Sequence, residues 1–450
     1  MSEKIKKYLL FIGITTAYCL LIFLLKKPWL YFGVLIICDC FFWHYIFLKS
    51  KKIKIKKSWQ REWFDAIIFA VIAAMLIRTF LIEAYTIPTS SMEKTLLVGD
   101  FLFVSKINYG PRVPNTPIAF PFVHNKLPFL GNKSFIESIQ VPYKRLKGFQ
   151  KVERNDIVVF NYPMDDHYPV DKRENYIKRC VAIPGDTFTI DSTLIYINGT
   201  PTNYNERTNK QFIYEINTNG IGFSSKQLQK KMGDYFDIGI NGDIKGNRDS
   251  KWYFQLTKNN LNKIKSFPNV NSITPLLMPK WVIDHYNPSF PTKYQNSLKW
   301  NTDYYGPIYI PKKGDTIILN KENIQIFERL ITIYENNQLE WDEEKITING
   351  NETNKYITKM NYYWMMGDNR HNSQDSRYWG YVPEDHVLGK PIFIWMSWDK
   401  NAQGFKKIRW DRLFTTIHGE GKPKSYFPYF IVFVLLYYAY GYYKKKSIKT

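Results

Sequence analysis

Four apolar runs, each beside lysine or arginine, constrain this chain more than any other feature, because they divide it into membrane-length segments around one long polar region. The runs are residues 8–25, 28–48, 63–82 and 426–443. A bilayer core takes roughly 20 helical residues to cross, so each qualifies as a span. Lys26, Lys27 and Pro28 follow the first run in place of a small-residue cleavage motif, so it reads as a retained helix and not as a removed leader. Segment 49–61 holds seven Lys or Arg and no acid, and Lys444, Lys445 and Lys446 follow the last run. Basic clusters of this kind stay on the cytoplasmic side. The predicted organisation is a membrane anchor over 1–82 with three helices and a basic cytoplasmic loop at 49–61. An extracytoplasmic domain follows over 83–425, then a C-terminal transmembrane helix and basic tail over 426–450. The net charge of +22 therefore points to a lipid bilayer and away from nucleic acid.

Within the spans, Asp39 is an ionisable group in a costly place. Cys38, Asp39, Cys40 and His44 do not share one helical face, so no metal site is expected there. Arg78, near the outer end of its span, is expected to snorkel to the interface. Of four cysteines only Cys180 lies in the polar region, so that region has no disulfide framework and must rest on its own core.

The polar region reads as mainly β. The runs at 156–160, 193–199, 307–311, 315–319 and 345–350 are short, β-branched and bounded by Gly, Pro, Asn or Asp. Residues 185–203 and 314–354 look like a weak internal echo, either a repeated strand–turn unit or a chance likeness of turns. Segment 204–300 is rich in Lys and Asn, with an amphipathic helix expected over 258–266, and reads as an inserted subdomain remote from any chemistry. Residues 111–148, rich in proline and aromatics, read as an ordered loop.

Three segments carry candidate chemistry: Ile87-Pro-Thr-Ser-Ser-Met92 with residues 96–100, Tyr176-Ile-Lys-Arg179 with Pro184-Gly-Asp186, and the fourteen residues 367–380, GDNRHNSQDSRYWG. A serine hydroxyl is a weak nucleophile and needs a base within reach. A lysine can be that base if burial lowers its pKa toward neutrality. Alternation along a strand would put Tyr176, Lys178 and Cys180 on one face.

Together these boxes resemble, in the same order, the signature segments of bacterial type I signal peptidases, and with the anchors the likeness covers the chain outside roughly 204–300. The resemblance implies a signal-peptidase-like β fold and a membrane-bound serine endopeptidase that removes signal peptides from translocated preproteins. Ser91 would be the nucleophile and Lys178 the general base, with no metal or cofactor. The Thr89 hydroxyl and the Ser91 N–H would form the oxyanion hole, and Ser373 would orient the lysine. Asp368 with Arg179, and Asp375 with Arg377, would be structural ion pairs. Tyr85, Ile87, Pro88, Leu96, Tyr176 and Ile177 would line the substrate pockets, and residues 101–103 would rest on the bilayer. The implied location is the bacterial cytoplasmic membrane, multi-pass, near the translocation machinery. His371 departs from the family's usual Asp and Lys94 from its usual Pro. The second departure creates Ser91-Met-Glu-Lys94, an S-x-x-K tetrad like that of penicillin-interacting enzymes, but no K-T-G strand accompanies it. A non-catalytic membrane-tethered scaffold is the other alternative.

Overall fold

The computed structural model describes residues 3–25, 37–38, 59–128, 130–220, 222–223, 244–248, 251–292, 298–342 and 344–447. The second expected span, with Asp39, Cys40 and His44, and most of the basic segment 49–61 lie outside the described residues. Two compact units result, Met1–Ala74 and Met75–Thr450.

The third expected span forms helix Trp59–Phe80, with none of its described residues buried, and it is long and apolar enough to cross a membrane. Among the described residues it is the single helix that meets this test. The first and last expected spans are also helical, at Glu3–Leu25 and Phe427–Ser447. Their described apolar stretches, Tyr8–Cys19 and Phe427–Gly441, are shorter than a crossing requires. Arg78 is held by an ion pair: its Nε donates to Glu83 Oε1 at 2.6 Å, just beyond the end of its helix.

The second unit is mainly β. Its largest sheet runs in the order Ile82–Thr86, Asp100–Ser105, Val387–Ser397, Ile157–Asn161, Asn175–Ala182, Tyr362–Met366 and Val382–Pro383, with each neighbour antiparallel. The short strand Thr415–Thr416 also pairs with Val387–Ser397. Central strands such as Ile157–Asn161 and Tyr362–Met366 are buried along their whole length, which is why their sequences are apolar without alternation. Val387–Ser397 holds the halves together. It pairs with Ile157–Asn161 through Val387 and Gly389, and with Asp100–Ser105 from Lys390 to Ser397. Register shifts on both sides let it bend.

Each expected strand forms, as Ile157–Asn161, Leu194–Ile197, Tyr304–Tyr309, Thr316–Ile318 and Ile346–Ile348. The expected helix forms as Lys258–Lys265, with the Thr257 hydroxyl accepting from the Asn260 N–H at 3.2 Å. Residues 111–148 form an irregular loop with isolated bridges such as Arg112↔Arg145. The internal echo is a likeness of turns. Asn198-Gly199 and Asn349-Gly350 both have positive φ and close hairpins. The strands before them pair differently: Thr187–Asp191 joins Leu194–Ile197, whereas Thr316–Ile318 joins Lys355–Ile357.

The insertion corrects an expectation. Its distal part has its own sheet and core, around Ile216, Phe254, Leu256 and Ile264. Its first limb is not remote, because Gln211 bridges Asn369 in parallel. The Gln211 N–H donates to the Asp368 carbonyl at 2.9 Å, and the Arg370 N–H to the Gln211 carbonyl at 2.9 Å.

Gly389 tests the sheet junction. A Cβ there would stand 2.5 Å from the Ser105 carbonyl oxygen and 2.9 Å from Val104 Cγ1. Gly389→Ala is expected to lower stability by about 1–3 kcal/mol, read as a fall in Tm in detergent.

Candidate active site

Strand Ile82–Thr86 ends where Pro88 removes a ladder donor. Thr89 takes an extended conformation (φ −125°, ψ 155°), and the single turn Ser90–Met92 follows. Met92 and Leu96 are fully buried and hold this turn to the core beside Ile87, Leu102 and Ile157. Ser91 is left at the surface of that core with 8% of its area exposed.

Lys178 sits mid-strand in Asn175–Ala182, opposite Val158. It shares a face with Tyr176, whose ring centroid lies 5.5 Å from Nζ, and with Cys180, as alternation predicts. Val158, Phe160, Cys180 and Met365 form the apolar wall on that side. Lys178 Nζ donates to Ser91 Oγ at 2.6 Å. Burial lowers the lysine pKa to about 8, against the pull of Asp375 and Asp368, which favour the charged form. The tetrad lysine, Lys94, is a different matter: it has a positive φ, and it is Lys178 that reaches the serine. This geometry disfavours the penicillin-interacting reading.

Two buried ion pairs frame the Ser91–Lys178 contact. Arg179 holds Asp368 through Nε–Oδ1 at 2.7 Å and Nη2–Oδ2 at 2.6 Å, and the Thr95 hydroxyl donates to the same Oδ2 at 2.6 Å. Arg377 Nε donates to Asp375 Oδ1 at 2.9 Å, and the Gly367 N–H to Oδ2 at 3.1 Å. Burial alone would raise both carboxyl pKa values, but the arginines hold them below the usual range. Breaking such a pair from one side typically costs about 3–5 kcal/mol.

Residues 367–373 also clamp the serine turn. The Asn369 N–H donates to the Ser91 carbonyl at 3.0 Å, Asn369 Nδ2 to the Ser90 carbonyl at 2.9 Å, and Asn372 Nδ2 to Ser90 Oγ at 2.9 Å. A Cβ on Gly367 would lie 2.3 Å from Ser373 Oγ and 2.5 Å from the Ser91 carbonyl oxygen, so only glycine fits. Ser373 is thus buried close to the serine turn, but its hydroxyl donates to the Gln374 carbonyl at 3.4 Å and not to Lys178.

The pocket residues divide by burial. Ile87 and Leu96 are 3% and 1% exposed, Tyr85, Tyr176 and Ile177 are half-buried, and Pro88 and Thr89 are exposed. Ile177 faces away from Lys178, packing between the Ile87–Leu96 cluster and Tyr85 with Val104. Tyr176 stacks on Tyr162 and meets Trp379 edge-on.

Sequence reasoning missed Thr95, Asn369, Asn372 and the Gln211 limb. The Asn residues stood inside the third box, but their side-chain partners are 279 and 282 positions away and no spacing rule reaches that far. His371, assigned no catalytic part, is a tie. Its Nε2 lies 2.9 Å from Asp303 Oδ1, and its Nδ1 accepts the Ile213 N–H at 3.1 Å. Among the described residues no group of His, Cys, Asp and Glu could hold a metal ion.

Comparison with known proteins agrees with this geometry. Residues 60–260 and 309–398, more than half of the chain, match the family described as signal peptidase, peptidase S26. Proteins named signal peptidase I are similar along most of their length. That of Buchnera aphidicola from Acyrthosiphon pisum is 29% identical, with 77% of this chain and 80% of the relative aligned. That of Buchnera aphidicola from Baizongia pistaciae is 27% identical, covering 81% and 86%. That of Haemophilus influenzae is 25% identical, covering 82% and 79%. With all three boxes inside the matched residues, the chain belongs to the peptidase S26 family and is an enzyme, a type I signal peptidase.

Proposed function

We propose that this enzyme cuts signal peptides from translocated preproteins with a Ser91/Lys178 dyad, held at the bilayer by helix Trp59–Phe80. The observation that carries the reading is the 2.6 Å contact between Ser91 Oγ and a buried lysine whose pKa is lowered to about 8. Neutral Lys178 takes the Ser91 proton as Oγ adds to the scissile carbonyl. The Thr89 hydroxyl and the Ser91 N–H receive the developing oxyanion. Thr89 is exposed and its side chain makes no cap hydrogen bond, which leaves the hydroxyl available. The ammonium then protonates the leaving amine. Water resolves the ester with Lys178 again as base.

Ser373 is the proposed positioning residue for the lysine, through rotation of a hydroxyl that now faces Gln374. The pairs Asp368–Arg179 and Asp375–Arg377 keep the site's shape. Ile87 and Leu96 would form the floor of the substrate pockets, and Tyr85, Pro88, Tyr176 and Ile177 their walls. The substrate strand would add along the cleft. Such a substrate is made at the translocation machinery, so the enzyme works beside it. The bacterial cytoplasmic membrane, crossed more than once with residues 83–425 outside, is the proposed setting. The basic segments at 49–61 and 444–446 support it.

Ser91→Ala, Lys178→Ala and Lys178→Arg should each lose at least ~10³ in the cleavage rate of a test preprotein, because arginine does not shed its proton near neutrality. Lys94→Ala should cost far less, and the opposite pattern would overturn the dyad. Since only neutral Lys178 accepts a proton, kcat/KM should rise with pH and level off above about 8. Thr89→Val removes the donor at constant shape and should cost about 10²–10³, mainly in kcat, while Thr89→Ser stays active.

The insertion separates into two tests. Replacing 204–300 with a Gly/Ser linker should abolish cleavage, since the Gln211 bridge and Asn209, whose N–H donates to the Thr95 hydroxyl at 3.2 Å, go with it. Joining Thr218 to Val270, which are register partners, through a two-residue turn should retain cleavage in a folded protein. Topology is tested by an impermeant thiol reagent on single cysteines. One near residue 250 should label in cells whose inner membrane is closed, and those near 55 and 447 should not.

A further inference from the structure

A cavity of about 210 Å³ lies at the end of helix Trp59–Phe80, lined by Arg78, Lys106, Arg112 and Lys172 together with Glu83 and Asp171. Four cations thus face two carboxylates. Glu83 is already engaged by Arg78 at 2.6 Å, Lys106 at 2.8 Å and the Tyr85 hydroxyl at 2.7 Å. Arg112 donates to Asn161 Oδ1 at 2.5 Å and to the Asp385 carbonyl. Lys172 is different. The residue is 8% exposed and its ammonium lies 5.4 Å from the Phe135 ring centre, yet among the described residues that ammonium makes no hydrogen bond or ion pair. Asp171 Oδ1, not this ammonium, is the buried atom without a partner, so the Lys172 charge opens into the cavity, where an anion would pair with it. Burial lowers the pKa of both Lys172 and Lys106, with Asp171 and Glu83 respectively pulling back. Asp171 accepts from the Thr116 N–H and hydroxyl on Oδ2, while its buried Oδ1 has no partner and calls for a donor. Phe120 and Phe122, on the rim, are 60% and 50% exposed.

Resting on the tethering reading above, we propose that this cavity binds the headgroup of an anionic phospholipid bearing hydroxyls, of the phosphatidylglycerol type. The phosphodiester oxygens accept from Lys172 and Arg78, a headgroup hydroxyl donates to Asp171 Oδ1, and the acyl chains leave past Phe120 and Phe122 along the helix. The net positive lining favours an anionic lipid over a zwitterionic one. The last turn of a spanning helix lies at headgroup depth, which places Arg78 at the right level.

Thermal unfolding of the full chain in detergent micelles tests this. Added phosphatidylglycerol should raise Tm by several degrees in the wild type and in Lys355→Met, an exposed control, and by much less in Lys172→Met and Arg78→Gln. Phosphatidylcholine or inorganic phosphate at equal concentration should do little. An equal shift with phosphatidylcholine overturns the charge argument, and an equal shift with inorganic phosphate makes this a free-anion site. A full phosphatidylglycerol shift in both variants removes the cavity from the account. If Lys172→Met does not fold, Arg78→Gln decides alone. A raised KM of Lys172→Met or Arg78→Gln for a short soluble peptide without lipid would assign the cavity to the substrate cleft instead. Binding of the wild type to phosphatidylcholine vesicles reads the tether separately. Failure there sinks the tethering reading, whereas binding without a phosphatidylglycerol preference sinks only the headgroup site.

Discussion

A lysine ammonium held away from water is the constraint around which the rest of the site is built. Lys178 would keep its proton if the two nearest carboxylates were free to stabilise it. Each is instead claimed by its own arginine, Asp375 by Arg377 and Asp368 by Arg179, so their pull only partly offsets burial. The pKa of about 8 is the result of that contest. At pH 7 roughly a tenth of the lysine is then neutral, against well under a thousandth for an exposed one. The arginine pairs, described from sequence as scaffold, therefore also act electrostatically: they neutralise carboxylates that the sheet's geometry brings close to Lys178.

The same carboxylates do mechanical work. The Asp375 carboxylate accepts the Gly367 N–H, and Asp368 meets Thr95 from the segment that carries Ser91. Residues 367–372 are consequently fixed on one side to the lysine strand and on the other to Ser90 and Ser91. Gly367 lets these backbones approach, since any Cβ would collide with the Ser91 carbonyl oxygen. A serine–lysine contact of 2.6 Å between residues 87 positions apart is the sum of these ties.

How much of this was legible follows from the range of each signal. Strand Ile157–Asn161 and hairpin Leu194–Ile197 with Thr200–Pro201 are written in local chemistry, β-branched runs and an Asn-Gly turn, and they form as read. The Tyr176–Lys178–Cys180 face followed from alternation alone. The contact between Ser91 and Lys178 was legible because three boxes resembled a family's in order, and no local rule would have paired the two. Gln211 and Asn209 escaped because the Lys/Asn-rich composition around them resembles a solvated insertion, and composition is blind to a ten-residue limb that returns to the site. The apolar ends are legible as helices, but their described apolar stretches, Tyr8–Cys19 and Phe427–Gly441, stop short of a crossing length.

The geometry at the end of helix Trp59–Phe80 ties Ser91 to the last helical turn more tightly than a flexible linker could. Phe80 and Ser91 are eleven positions apart, so even a fully extended chain would span only about 40 Å. The actual path is shorter and stiffer. The Leu81 N–H continues the helical pattern to the Ile77 carbonyl at 2.9 Å, and Ile82–Thr86 is zipped to Asp100–Ser105 at once. Glu83, the second residue of that strand, takes Arg78 from the last helical turn and Lys106 from the end of the partner strand. Burial would raise the Glu83 pKa, but the two cations hold it below the usual carboxylate range, so the carboxylate at the junction stays ionised through neutral pH. Helix end and sheet edge are thereby one rigid joint, and residues 78–83 fix the distance of Ser91 from the last helical turn. With the helix as the proposed anchor and Ser91 as the proposed nucleophile, a peptide whose apolar segment stays in the bilayer would meet the serine only if its scissile bond lay a fixed, short distance from that segment. On that proposal the joint, as much as the proposed side-chain pockets, would select where along the chain the cut falls.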